Sequence, residues 1–122
     1  MIALDIATVY DTLVDASAEA NLLECLGCSA AQPGATSLIS GAVFAGSLDG
    51  HLRAYATTDG HILWDFDTMH DFQTVNGVKA RGGSINGTGP TIAGGIVYSN
   101  AGYSRFPVMG GNAPLAFSVD GK

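Results

Sequence analysis

Positive charge is scarce in this chain. Five Lys and Arg stand against eleven Asp and Glu, giving a net charge of −6 and a pI near 4.6. A nucleic-acid-binding face needs clustered basic residues to displace counterions from phosphate, so the balance argues against that class. No apolar run approaches the roughly 20 residues of a membrane-spanning helix. A basic region followed by an apolar core is missing after Met1, so no secretory signal is read there. Charged residues make up 13% of the 122 residues and hydrophobic ones 47%, a balance that argues against disorder. Cysteine is limited to Cys25 and Cys28, in Cys-Leu-Gly-Cys-Ser. Haem attachment needs His directly after the second Cys, and Ser29 stands there. A zinc site needs two more ligands, and neither a second Cys pair nor a close His pair exists. A thioredoxin-like redox site expects a βαβ context, which is lacking. The reading left is a local disulfide or two free thiols in a loop, with the disulfide preferred if the protein is exported.

What the chain does have is glycine, 17 residues of it, placed between short β-prone runs. Asp49-Gly50 and Asp59-Gly60 each separate two such runs, and both residue types tolerate the positive φ of hairpin turns. Strands are predicted at about 35–40, 42–48, 51–56 and 61–66, then at 90–94, 95–100 and 113–119. The pattern repeats. Thr36–Gly46 lies over Pro90–Asn100 at a constant offset of 54, with Val43 on Val97, Phe44 on Tyr98 and Gly41 on Gly95. A second element, Ala54-Tyr-Ala-Thr-Thr-Asp-Gly60, recurs as Ala116-Phe-Ser-Val-Asp-Gly121 at an offset of 62 and is faintly present at Ala3–Thr8. The eight extra residues fall in the Gly-rich stretch Gly102–Asn112, read as an inserted loop.

Repeated antiparallel meanders are the mark of β-propeller blades. The expected fold is therefore all-β, about two blades. Residues 1–14 are read as the end of one blade, 35–66 as a full blade and 90–122 as a last, incomplete one. On this reading the chain starts inside a blade and is the C-terminal fragment of a longer protein. Asp15 to Gly34 is read as an inter-blade excursion, and Asp67 to Gly89 as one long connection. Such long loops in a compact domain are usually functional or disordered, and this one combines polar, charged and glycine residues, so it ranks first as a site candidate.

The run Ala54-x-x-x-x-x-Gly60-x-x-x-Trp64 resembles the tryptophan-docking repeat of the quinoprotein dehydrogenases, Ala-x-Asp-x-x-Thr-Gly-x-x-x-Trp. Phe44–Tyr55, Lys79–Ser84 and Ala116–Gly121 resemble more specifically the C-terminal end of the polyvinyl-alcohol dehydrogenase family. The resemblance covers roughly residues 28–122. It implies antiparallel four-stranded meanders in an eight-bladed quinoprotein-like propeller. It also implies a periplasmic enzyme that uses pyrroloquinoline quinone (PQQ) with calcium, oxidises an alcohol or polymeric alcohol, and passes electrons to cytochrome c. There are departures. Ala56 replaces the usual Asp and Asp59 the usual Thr, while Val9 and Leu13 stand where Gly and Trp are expected in the first repeat. The family's calcium-ligand Glu and catalytic Asp lie upstream, and neither is found here. Fold does not fix function, and propellers of this repeat type also serve as non-enzymatic scaffolds in outer-membrane protein assembly.

Candidate residues follow from chemistry and position. Arg81 offers a planar fork of donors suited to PQQ carboxylates or carbonyls. Gly82 and Gly83 would let backbone approach a flat ligand, and Ser84 and Asn86 could add hydrogen bonds. The alternative is an ordinary surface loop. Trp64, the sole tryptophan, is read as inter-blade packing, with Gly60 making the turn before it, rather than as a ring stacked on the quinone. His51, His61 and His70 are too scattered for a metal site. Tyr103, Arg105 and Asn112 belong to the inserted loop, which either borders a substrate mouth or caps the last blade. Asp49 and Asp59 are read as turn formers, and Asp65 and Asp67 as outward-facing.

Overall fold

The computed structural model describes residues 31–103 and 109–118. The end of a blade at 1–14, the Cys25–Cys28 pair, Arg105 and the chain's last residues lie outside the described residues. Among the described residues the fold is all-β, with nine strands and no helix. Strands β1 (Ser37–Ile39), β2 (Ala42–Gly46), β3 (His51–Ala56) and β4 (Ile62–Asp67) form a four-stranded antiparallel sheet in sequence order. The turns between them fall where Gly supplies positive φ: Gly41 at 86°, Gly50 at 85° and Gly60 at 77°. Strands β7 (Thr91–Ala93), β8 (Ile96–Ala101) and β9 (Ala113–Ser118) form a second antiparallel meander, again in sequence order. β7 sits 54 residues beyond β1 and β9 sits 62 beyond β3, so the two sequence offsets are one blade pattern built twice.

The long connection contains structure that composition did not suggest. Strands β5 (Asp71–Gln73) and β6 (Lys79–Arg81) pair as a small antiparallel hairpin. Each has only three residues, and no buried alternating face announces it. Its one sequence mark is Asn76-Gly77 at the tip, a strong turn pair, with Gly77 at φ 78°.

Alternation along the strands gives each sheet two faces. In the first sheet, register places Phe44, Gly46, Leu52, Ala54, Trp64 and Phe66 on one face and Val43, Ala45, Arg53, Tyr55 and Asp65 on the other. The first of these faces packs on the second sheet. Leu52, Ala80, Ile85, Ala101 and Ala113 form the buried core, with Trp64, Phe72, Val97, Leu115 and Phe117 packed around it. Phe117 sits edge-on between Trp64 (centroids 5.0 Å) and Phe66 (4.8 Å), the arrangement favoured by ring quadrupoles. Trp64 on β4 is thus held by an aromatic from the next meander, the place of a ring between successive blades. The turn at Gly60 sets that up: its positive φ reverses the chain so that β4 returns along β3 with Trp64 opposite Ala54, whose small side chain leaves room for the indole.

Candidate functional site

The segment Arg81–Asn86 leaves β6 and runs back between the two large sheets towards β7. Its members divide sharply. Arg81 and Asn86 are exposed, whereas Gly82, Gly83, Ser84 and Ile85 are buried. The glycines are needed for contacts with protein. A Cβ on Gly82 would overlap the Thr68 carbonyl, and one on Gly83 would crowd the Met109 and Gly110 carbonyls. Ser84 is fully buried, donates from Oγ to the Leu48 carbonyl at 2.5 Å and accepts from the Met109 amide at 3.1 Å. Next to it, Ile85 caps Gly46 so closely that a side chain there would collide with it. The exposed side chains of this segment are therefore the Arg81 guanidinium and the Asn86 amide, with Gly82, Gly83 and Ser84 buried in the backbone between them.

Two neighbours fix this segment. On one side is the inserted loop. Asn112 accepts from the Arg81 amide at 2.9 Å and donates its own amide to the Arg81 carbonyl at 2.7 Å. Gly111 lies so tightly on the Arg81–Gly82 backbone that no Cβ fits. Tyr103, exposed, donates from its hydroxyl to the Asn112 carbonyl at 3.4 Å. The described part of the insertion is thus fastened to the candidate loop.

On the other side is the β2–β3 turn. Ile85 donates its amide to the Ser47 carbonyl at 3.0 Å. Thr68, fully buried, donates from its amide to the Gly50 carbonyl at 2.9 Å, and its Oγ1 lies 2.7 Å from that carbonyl and 2.8 Å from the Gly83 carbonyl.

The turn itself is braced by a polar constellation that residue-by-residue reading passed over. Arg53, 4% exposed, places Nε 3.0 Å from Asp65 Oδ2 and Nη2 3.6 Å from Asp49 Oδ2. Ser47 donates to Asp49 Oδ1, the His51 amide donates to the same oxygen at 3.2 Å, and His51 Nδ1 lies 2.6 Å from Asp65 Oδ1. Burial pulls the Arg53 pKa down, but the charges of Asp49 and Asp65 outweigh it and hold the guanidinium above its usual value. Burial also raises the Tyr55 phenol, against the hydrogen bond from Gln32. A signal did exist: polar residues at every second position, Ser47, Asp49, His51 and Arg53, with Asp65 opposite Arg53. Asp49 is therefore more than a turn former. Asp65 is exposed, as the alternation predicts, yet shared by Arg53 and His51.

The remaining candidates stay apart. His61 pairs locally with Asp59, and His70 is exposed with its ring 4.2 Å from Phe72. Among the described residues no group of three or more His, Cys, Asp or Glu is placed to hold a metal ion. A cleft of about 430 Å³ opens between the large sheets, walled by residues such as Phe44, Leu63, Trp64, Ile92 and Phe117. Its lining is almost wholly apolar and includes no member of Arg81–Asn86, so it offers little to orient a polar reactant.

No protein-family profile matches this sequence. Two curated relatives do. The chain is 46% identical over 104 residues to a polyvinylalcohol dehydrogenase of Pseudomonas sp, and 50% identical over 105 residues to a polyvinylalcohol dehydrogenase of Sphingopyxis sp. (strain 113P3). Each match covers 78% of this chain but 16% of the relative's length. This chain is thus a homologue of one stretch of the polyvinylalcohol dehydrogenases, folded as two successive antiparallel meanders of propeller-blade type.

Proposed function

We propose that this chain supplies two adjacent blades and a cofactor-side loop to a PQQ-dependent dehydrogenase acting on polyvinyl alcohol or a similar secondary alcohol. The observation that carries the proposal is the identity of 46–50% to dehydrogenases of that name, over a stretch that folds as the repeat requires. Calcium beside the quinone, cytochrome c as electron acceptor and a periplasmic location are part of the same reading. When bound, PQQ supplies the two-electron acceptor, and the protein supplies orientation and electrostatics.

The residues present fit an anionic, planar, carbonyl-rich group in a limited way. Arg81 and Asn86 are exposed donors on a backbone pinned from both sides, so they would hold the group's oxygens. Gly82, Gly83 and Ser84 support those two from below. The base that takes the alcohol proton and the calcium carboxylates belong elsewhere in the longer protein. Alone, this chain is inactive on this reading, because one loop cannot preorganise a site built by several blades.

The test is reconstitution of the longer protein. With PQQ, calcium and polyvinyl alcohol it should reduce cytochrome c or a redox dye, and without PQQ it should not. A correctly folded protein that neither binds PQQ nor oxidises any alcohol would sink the proposal and favour a scaffold.

A further inference from the structure

We infer that Arg53 is a positioning residue for the cofactor-side loop, acting through the Asp49-Gly50 turn on the backbone that carries Arg81 and Asn86. This rests on the cofactor reading above. A continuous set of contacts leads from Arg53 to that loop. Its guanidinium spans Asp65 on β4 and Asp49 in the turn, and Nη1 reaches Ser47 Oγ at 3.4 Å. Ser47 and Asp49 are themselves hydrogen-bonded, so the cation closes the turn as one unit.

The same turn then presents two carbonyls to the loop and a third to Thr68, which lies against it. Ser47 accepts from Ile85, Leu48 from the Ser84 hydroxyl, and Gly50 from Thr68, whose hydroxyl also lies 2.8 Å from the Gly83 carbonyl. Gly50 has no room for a side chain because Met69 lies against it. Carbonyls held this closely fix one side of residues 83–85, and so bear on where the exposed side chains on either side emerge. On the far side, Asn112 grips the Arg81 end and Met109 and Gly102 bond Ser84, so the turn is one of two supports and the one that holds Ile85.

The burial of the Arg53–Asp49 pair needs a reason. A buried pair of this kind is weak evidence for stability, since apolar packing does as well; fixing one arrangement is its better-attested use. Asp49 is nearly as buried as Arg53, and its Oδ2 has Arg53 as its charge partner but no hydrogen bond. Loss of the cation would leave that carboxylate uncompensated and let the turn relax. A loop shift on the order of 1 Å is enough to cost about a hundredfold where geometry matters.

The experiment is an equilibrium PQQ titration on the longer protein, combined with amide hydrogen exchange. It compares wild type, Arg53→Met, Arg81→Ala and the double variant. Arg53→Met keeps the apolar stem and removes the charge. It is expected to weaken PQQ binding about tenfold to a hundredfold, the range for losing a supporting partner behind a binding residue. It should add less than its full effect in the Arg81→Ala background, where only Asn86 remains to be misplaced. Exchange should quicken at Ile85 and Thr68, whose amides are bonded to the turn, while β8 and β9 stay protected. If Arg81→Ala weakens binding but Arg53→Met does nothing, or adds in full, the inference is overturned and the cofactor reading stands. If Arg81→Ala leaves affinity unchanged, the cofactor reading fails and the inference fails with it. Should Arg53→Met not fold, Ser47→Ala removes the hydroxyl that links Arg53 to Asp49 in the turn without unpairing a buried charge. The same weakening, non-additive with Arg81→Ala, is then expected, and an unchanged affinity would overturn the inference.

Discussion

Phe117 reaching between Trp64 and Phe66 is one of the contacts that join the two meanders, and its loss can be given a size. Trp64→Ala removes ring contacts at 5.0 Å to Phe117, 6.0 Å to Phe66 and 6.5 Å to Phe44. A fully enclosed Trp or Phe cut to Ala costs about 3–5 kcal/mol. Trp64 is only partly buried and borders the open cleft, so less apolar area is lost and about 2–3 kcal/mol is expected. The Trp64–Phe117 pair itself should account for about 0.5–1.5 kcal/mol, the range for edge-to-face rings beyond area burial. Amide exchange in the longer protein reads this locally, because opening of one sheet can be followed without assuming two-state unfolding of the whole. Amides of β4 and β9 should exchange roughly 30- to 150-fold faster in Trp64→Ala, about a factor of ten per 1.4 kcal/mol. In a double-mutant cycle with Phe117→Ala the two changes should fall short of additivity by the pair term. Exchange altered less than threefold, or strict additivity, would refute the reasoning that this ring joins adjacent blades.

Other outcomes follow from particular residues. Gly82→Ala should prevent native packing of the candidate loop, because its methyl would overlap the Thr68 carbonyl; soluble yield and PQQ binding should both collapse. Thr68→Val keeps the shape but leaves the Gly83 carbonyl short of a donor in a fully buried place, a loss of about 1–3 kcal/mol measurable by chemical denaturation of the longer protein. The Asp59 carboxyl is held below its ordinary pKa, first by the His61 amide and then by the His61 ring. His61→Ala should therefore raise it only part of the way, since the amide bond stays, and NMR titration of the carboxyl carbon checks this. The sign is that of a depressed acid: its small stabilisation is present above the ordinary carboxylate range and is lost as pH falls through the lowered value. The 122-residue chain alone leaves Leu38 64%, Leu63 51% and Tyr98 44% exposed, so it should bind a hydrophobic dye and self-associate. A sharp, reversible melt of a dye-free monomer would contradict that.

The blade pattern was legible because its signals are local. Asp-Gly turns with the required positive φ, and period-two strands of apolar residues between them, left little freedom in placing β2, β3 and β4. The second meander followed from the offsets, including the shift of eight caused by the inserted loop. The β5–β6 hairpin escaped because three-residue strands with mostly exposed side chains carry no periodicity, and Asn76-Gly77 was the only hint. At the candidate site, charge and glycine content drew attention to Arg81–Asn86. Sequence could not say that Gly82 and Gly83 face protein backbone, because that depends on Thr68 and Met109 arriving from other parts of the chain. The Arg53 cluster was missed for a similar reason. Its partners alternate along one hairpin, but a buried arginine is recognised only when the carboxylates around it are seen together.

The most direct measurement is a crystal structure of the longer protein with PQQ bound. The account predicts the Arg81 guanidinium within about 3 Å of a PQQ oxygen, the hydrogen-bonding range. It also predicts residues 37–67 and 91–118 as neighbouring blades with Phe117 against Trp64. Arg81 turned to solvent, with PQQ held entirely by other blades, would contradict it.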